Sequence, residues 1–466
     1  MLTYLLNIAF TIVATVLFIQ APEYYDSTYC TTLMVLFIAQ NVLYFLTNKR
    51  KNWLGFEFFF ALSFFLVNFV YPVFYAPTER QYWSFFSFDF NDAYVTRCTA
   101  LAYFGYAWYL LGATRLFRLR REEPTEPTFT ITMRQYIWFF GITMVAWLLF
   151  MATGGLAALQ SVYAEGTSLR DVGIYSYFNN IFSIGCLFMA AFLFRLPKQK
   201  WWFYTLVVLG FILILLSTGS RQLAISLALV LIVGFSMYVY HLRWWQVTLI
   251  IALGSIVLFL VMTLRTEGLD TDAWHVKLAK MKITHFWDIF EDLIVNDVNL
   301  FRLYGFAQEN DPTWFQGMAL DISSPIPGLA NVIIENSELP HEMLHGGDLP
   351  TYLILGPDSG WGTGTNMVGE AYRSFGAVGT AISMFLIGFW VKESFYRAKT
   401  NVYWYLMYFL LVSHALIYPR APLLFDPRTI VWSLLLLAVV MAITTHQAQI
   451  IQWLKQLGKK KKEGKS

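Results

Sequence analysis

Residues 201–240 read WWFYTLVVLGFILILLSTGSRQLAISLALVLIVGFSMYVY, and Arg221 is the only charge among them. About 20 apolar residues carry a helix across a hydrocarbon core roughly 30 Å thick, so this run is too long for one crossing. Ser217-Thr218-Gly219-Ser220-Arg221 breaks it near the middle. Serine and threonine accept hydrogen bonds from the free amides of a helix start. The stretch therefore predicts two spans and a tight turn, the second helix beginning near Arg221. Lipid offers backbone groups no partner, so the chain must be helical wherever it faces the membrane interior.

The pattern recurs along the chain. Runs near 3–20, 30–47, 53–75, 94–113, 136–153, 173–194, 201–218, 222–240, 246–264, 365–390, 402–418 and 429–448 predict twelve spans. Composition agrees: 57% of the 466 residues are hydrophobic and 14% charged, where a soluble domain carries about 25% charge. The 42 Phe, 27 Tyr and 17 Trp exceed what a soluble protein of this size can hide. A net charge of +3 is too small to suggest a nucleic-acid partner. Cys30, Cys98 and Cys186 lie in or beside apolar runs without metal spacing and need no disulfide. The first run lacks a basic leader and a small-residue cleavage site, so it reads as a span and not as a cleaved signal. The expected fold class is an all-α polytopic membrane protein of about twelve transmembrane helices.

With a cytoplasmic N-terminus, the inner loops and the tail after residue 449 hold 21 of the 33 basic residues. This positive-inside bias places both termini in the cytoplasm. The chain then divides into spans one to nine (1–265), a long outer loop (266–361), the last three spans (362–449) and a basic tail (450–466). The Lys459–Lys462 run of that tail is either solvated or an anchor at anionic lipid. In the loop, Trp274, Leu278, Met281, Phe286, Ile289 and Leu293 recur at near-helical spacing and predict an interfacial helix over 273–294. Residues 311–363, rich in Pro, Gly, Asn and Asp, are expected to be irregular. No internal repeat is visible, which weighs against a transporter built from paired halves.

The outer basic residues are informative by type. Outside the predicted interfacial helix, those at outer span ends and in short outer loops are all arginines: Arg80, Arg97, Arg170, Arg221, Arg265, Arg373, Arg420 and Arg428. Snorkelling anchors explain single members, but lysine snorkels equally well. Arginine differs by a planar fork that grips phosphate or carboxylate with two hydrogen bonds. Several forks converging on one outer cavity would bind a diphosphate. Arg80 and Arg97, in an aromatic-rich loop, read as anchors. Arg221 also stands at a helix N-terminus, whose amides and dipole favour the same anion.

Thr218-Gly219-Ser220-Arg221 after an apolar run resembles the glycine-hydroxyl-arginine turn of Wzy-type oligosaccharide repeat-unit polymerases. Gly369-Glu370-Ala371-Tyr372-Arg373-Ser374-Phe375-Gly376 resembles a second motif of that family, Glu-x-Tyr-x-x-Phe-Gly at the start of a late span. Gly154-Gly155-Leu156 with Arg170 resembles its earlier outer loop. The resemblance implies a GT-C-like membrane glycosyltransferase working at the periplasmic face of the inner membrane. It would transfer a glycan from a polyprenyl diphosphate donor to the non-reducing end of another lipid-linked repeat unit, inverting and without metal or other cofactor. Arg170, Arg221, Arg265, Arg373, Arg420 and Arg428 would supply the diphosphate clamp. A chain-length-regulating co-polymerase of the Wzz type is a possible partner, besides membrane lipids. A general base would take the acceptor proton. Glu370, one helical turn from Arg373, is the first candidate; the pair can equally be a plain ion pair. An O-antigen ligase using the same donor, or a flippase of lipid-linked glycans, remains as an alternative.

Two other motifs compete. His341-Glu342-Met343-Leu344-His345 matches H-E-x-x-H, but zinc chemistry needs a helix there, and Pro340 and Gly346-Gly347 leave barely one turn. His341 or His345 can instead touch sugar hydroxyls or serve as a base, or be satisfied locally. Asp270-Thr271-Asp272 has the spacing of a cation-diphosphate grip, although three residues recur often by chance. Tyr82, Trp83, Tyr304, Trp314 and Trp361 could stack on sugars or form an interfacial belt.

Overall fold

The computed structural model describes residues 2–48, 53–83, 86, 90–114, 128–155, 173–217, 221–266, 285–337, 339–357, 362–424 and 426–463. Among these the regular structure is helical. The first helices are α1 (Leu2–Ile19), α2 (Ser27–Thr47), α3 (Phe56–Asn68, followed by a π-turn over Tyr71–Tyr75) and α4 (Tyr94–Ala113). Next come α5 (Met133–Ala152), α6 (Gly173–Phe192), α7 (Lys198–Ser217), α8 (Arg221–Tyr238) and α9 (Trp244–Thr266). Short elements follow: α10 (Glu291–Ile294), α11 (Asp297–Glu309), α12 (Ala319–Ser323), α13 (Leu329–Asn336) and α14 (Leu349–Leu355). The chain closes with α15 (Met367–Arg397), α16 (Val402–His414) and α17 (Pro427–Glu463).

Each of the twelve apolar runs is a helix, and the 201–240 stretch divides as its sequence predicts, ending at Ser217 and restarting at Arg221. Seven described helices are long and apolar enough to cross a membrane: α1, α2, α3 with its π-turn, α5, α6, α15 and α17. The protein is therefore a polytopic membrane protein. α7, α8, α9 and α16 carry shorter apolar segments. α1, α2 and α7 expose Leu5, Ile12, Val35, Leu46, Leu206 and Leu213, large apolar side chains of the kind that face lipid in a membrane protein.

α4 is the hub, packed on α1, α2, α11 and α15. Its approach to α15 is so close that a Cβ on Gly112 would meet the Phe385 carbonyl, and one on Gly388 the Tyr109 carbonyl. Small residues let membrane helices pack backbone to backbone, where lipid supplies no hydrophobic drive. Hydrogen bonds supply the rest: Asn7 donates to Thr114 Oγ1 at 2.9 Å and Gln40 to Asn7 Oδ1 at 3.0 Å, tying α1, α2 and α4 together.

The polar segments sort to two ends. At one, Lys392 lies 3.8 Å from Glu57, Thr128 donates to the Lys399 carbonyl, and Arg195 to that of Phe129. At the other gather the turns after α1 and α3, the segment 285–366 and the chain after α16.

Two expectations for that segment need correction. The interfacial helix proposed over 273–294 is not continuous where described: residues 285–294 form a 3₁₀ turn (Phe286–Phe290) and then α10. The Asp288 carboxylate folds back on the His285 amide at 2.9 Å and takes a hydrogen bond from Tyr82 at 2.8 Å, so it is buried and not on a solvated face. Residues 311–363 are more ordered than their Pro and Gly content suggests. Gly328, at φ 80°, opens α13, and Pro350 occupies the first turn of α14, where its missing N–H costs nothing.

Candidate active site

α15 builds the site. Asn366 caps it by accepting from the Val368 and Gly369 amides, and Glu370 and Arg373 follow on one face. The helix is broken at Gly376, whose φ of 67° and ψ of −168° lie outside helical space. Only glycine adopts this conformation readily. The break separates a short half-helix carrying Glu370 and Arg373 from the membrane-crossing remainder.

Glu370 is fully buried and Arg373 is 1% exposed. The plain ion pair considered from sequence does not form. Glu370 Oε2 accepts from the Leu423 amide at 2.6 Å, and Arg373 Nη2 donates to the Gly317 carbonyl at 2.8 Å. Glu370 Oε1 and Arg373 Nε and Nη1 have no hydrogen-bond partner. Leaving such atoms bare inside a protein is costly. Groups left open in this way are complementary to a ligand that offers both an anion and a hydrogen-bond donor.

Three further segments close around the pair. The turn over Trp314–Met318 and α12 bring Asp321, which is nearly buried. Its Oδ1 lies 3.1 Å from His345 Nε2, and its Oδ2 accepts from the Gly346 amide at 3.3 Å. On the other side of the imidazole, Nδ1 is 3.1 Å from Asp348, though not aligned as a hydrogen bond. Gly346 lies against the Glu370 carboxylate, leaving no room for a Cβ. Arg428 Nε donates to the Ser324 carbonyl at 3.0 Å, just beyond α12. Arg373, His345 and Arg428 thus each contact a residue of 317–324, and Glu370 lies against Gly346, which is bound to Asp321. Asp321 was missed by the sequence reading; its only signal was a lone carboxylate in the apolar run Met318–Ile322.

The other predicted residues are placed differently. Arg420 turns away from Glu370: its Nη1 sits 3.2 Å from Asp292 Oδ2 and 2.6 Å from the Asp292 carbonyl, at the edge of an apolar cavity of about 630 Å³. His341 contacts Glu342 at 3.3 Å, so the two histidines of the H-E-x-x-H match face different partners. The match spans one 3₁₀ turn, His341–Leu344. Arg221 begins α8 and Arg265 lies near the end of α9, their side chains outside the described set. Arg170 and the Asp270–Asp272 motif lie outside the described residues, as do Leu156 and Trp361. Arg80 pairs with Asp92 and Arg97 with Glu23, apart from the cluster as expected of anchors. Tyr82 and Trp83 serve internal packing, and Tyr304 is buried on Tyr372 at 5.2 Å. Trp314 remains exposed beside Phe375.

At the start of α11, Asp297 is buried, and neither carboxylate oxygen is hydrogen-bonded among the described residues. Burial pushes its carboxyl well above the usual range. Near the cavity edge, Glu291 is pushed up to about 7 by burial and by the neighbouring Asp288 and Asp292.

A family model described as O-antigen polysaccharide polymerase Wzy matches residues 2–448, nearly the whole chain. No curated protein and no solved structure matches.

Proposed function

The chain belongs to the O-antigen polysaccharide polymerase Wzy family, and from that premise we propose that the cluster around Glu370 and Arg373 is its polymerisation site. The family joins lipid-linked oligosaccharide repeat units, a glycosyltransferase reaction. In our reading the donor glycan is carried on a polyprenyl diphosphate and the acceptor is the non-reducing end of a second lipid-linked unit. The acceptor hydroxyl oxygen attacks the anomeric carbon from the face opposite the diphosphate, inverting it. The bond from that carbon to the diphosphate oxygen breaks, and the electron pair leaves with the diphosphate. Arg373 and Arg428, with Arg420 at the neighbouring cavity, stabilise the charge that develops there, without need of a metal. Glu370 Oε1 accepts the hydroxyl proton. His345, held by Asp321, is a positioning group or a relay for that proton.

The carrying observation is the pair of buried, unmatched partners: Arg373 Nε and Nη1 beside Glu370 Oε1. Twelve crossings would put this end of the bundle at the periplasmic face of the inner membrane, with both termini in the cytoplasm and Trp314 open to the sugar chain. Purified protein incubated with lipid-linked repeat units alone tests the reading. Longer products are expected. Lengths unchanged both alone and after addition of a co-polymerase would overturn it in favour of ligation or transport.

A further inference from the structure

A second cavity lies away from Glu370, and the proposed reaction leaves it unused. It encloses about 630 Å³ between α3, α7, α8 and α9, within the range of pockets that hold small molecules. Its wall is aliphatic over almost the whole length, represented by Leu66, Leu216, Ile225 and Leu229. Apart from Ser255 midway along α9, the polar groups collect at one end: Gln222 in the first turn of α8, Asp292 and Arg420. Leu253 and Val257 of α9 line the cavity and are 56% and 47% exposed, so the α9 wall is not sealed by neighbouring helices. Arg420 is a quarter exposed at the polar end. Three residues further on, the Leu423 amide binds Glu370.

We propose that this cavity is a groove for the isoprenoid chain of a polyisoprenyl diphosphate, entered laterally from the membrane between α8 and α9, with the headgroup leaving at Arg420 toward Glu370. The inference rests on the reading of the donor given above and adds where the carrier lies. Apolar walls hold the chain by excluding it from water and from competing lipid. Arg420, the cation among the described lining residues, fixes the direction in which it threads, the diphosphate replacing Asp292 as its partner.

Gly254 supplies the test. It lines the groove, and a Cβ placed on it meets nothing within 4 Å. Gly254→Trp therefore fills the groove without opposing backbone; Ala228→Trp on the facing helix is a second obstruction. Gly141→Trp, on α5 and equally open, is the control. Full-length protein in nanodiscs is given polyisoprenyl diphosphate without sugar, and bound lipid is measured by native mass spectrometry with phosphatidylglycerol as competitor. Wild type and Gly141→Trp are expected to retain the diphosphate over phosphatidylglycerol. Both groove variants should bind about tenfold or more weakly, the loss expected when a few methylenes are kept out. Arg420→Gln should lose the preference for the diphosphate over the free polyisoprenol. Unchanged binding in both groove variants, with thermal stability intact, overturns the proposal, and so does equal displacement by phosphatidylglycerol. The underlying reading fails separately: wild type that binds polyisoprenyl diphosphate through the groove yet never lengthens lipid-linked repeat units keeps the groove and loses the polymerase site.

Discussion

Gly376→Ala isolates the kink that presents Glu370 and Arg373. A Cβ at position 376 meets nothing within 4 Å, so the penalty comes from backbone conformation alone. With φ 67° and ψ −168° retained, alanine costs about 1–3 kcal/mol. The alternative is to straighten α15. That gains about 1 kcal/mol of helix propensity, but it swings Glu370 away from the Leu423 amide and Arg373 away from the Gly317 carbonyl. Hydrogen bonds to charged groups contribute about 1.5–3 kcal/mol each, so straightening costs roughly 2–5 kcal/mol net by the same figures. Keeping the kink is the cheaper route. The expected result is a protein destabilised by about 1–3 kcal/mol with its site geometry, and much of its elongation activity, preserved. Thermal unfolding in detergent, followed by circular dichroism, reads the first; product-length analysis reads the second. Gly141→Ala, equally open but inside the regular helix α5, should be neutral or stabilising. Gly376→Ala as stable as wild type would refute the reasoning.

Other expectations follow from the same coordinates. Asp321→Asn removes the charge facing His345 at 3.1 Å while keeping a hydrogen-bond acceptor. It should lower kcat by about tenfold to a hundredfold with little change in KM, and shift the pH–rate profile; an unaltered profile would remove His345 from the proton path. Glu291 has an ordinary value of 4.5 and a folded value near 7, so the folded state binds the extra proton. Its stability contribution is full below about pH 4.5 and is lost as pH rises through 7. Glu291→Gln should flatten that part of the stability–pH curve, and an unchanged slope would count against the assignment. Gly112→Val places bulk against the Phe385 carbonyl and should cost at least about 1–3 kcal/mol, since cores resist overpacking; unchanged thermal stability would contradict the close contact of α4 with α15.

Much of the architecture was legible because lipid constrains sequence strongly. Long apolar runs bounded by turn residues can only be helices, and the described parts of α7 and α8 end at Ser217 and begin at Arg221, on either side of residues 218–220, which lie outside the described set. α4 was found by the same rule although it faces protein more than lipid, which explains its Tyr, Thr and Gly content. Glu370 and Arg373 were legible because a spacing of three residues on a helix is local. Asp321 was not, because its partners His345 and Gly346 lie about 25 residues further along the chain and no periodicity connects them. The set of arginines was read as one clamp, yet Arg373 and Arg428 meet residues 317–324 while Arg420 turns to Asp292. Residue type told which cations could grip a phosphate; direction depended on tertiary contacts no spacing encodes. The helix expected over 273–294 is broken in its described part, 285–294, for a related reason: the hydrogen bond from Tyr82 draws Asp288 inward.

The central claim is that the Arg373 fork, with two buried nitrogens left open, binds the diphosphate leaving group. Arg373→Lys keeps the charge and can still reach the Gly317 carbonyl, but loses the fork. Steady-state elongation of purified lipid-linked repeat units, at matched thermal stability, should fall by about a hundredfold or more in kcat/KM. Elongation at the wild-type rate in that variant would contradict the account.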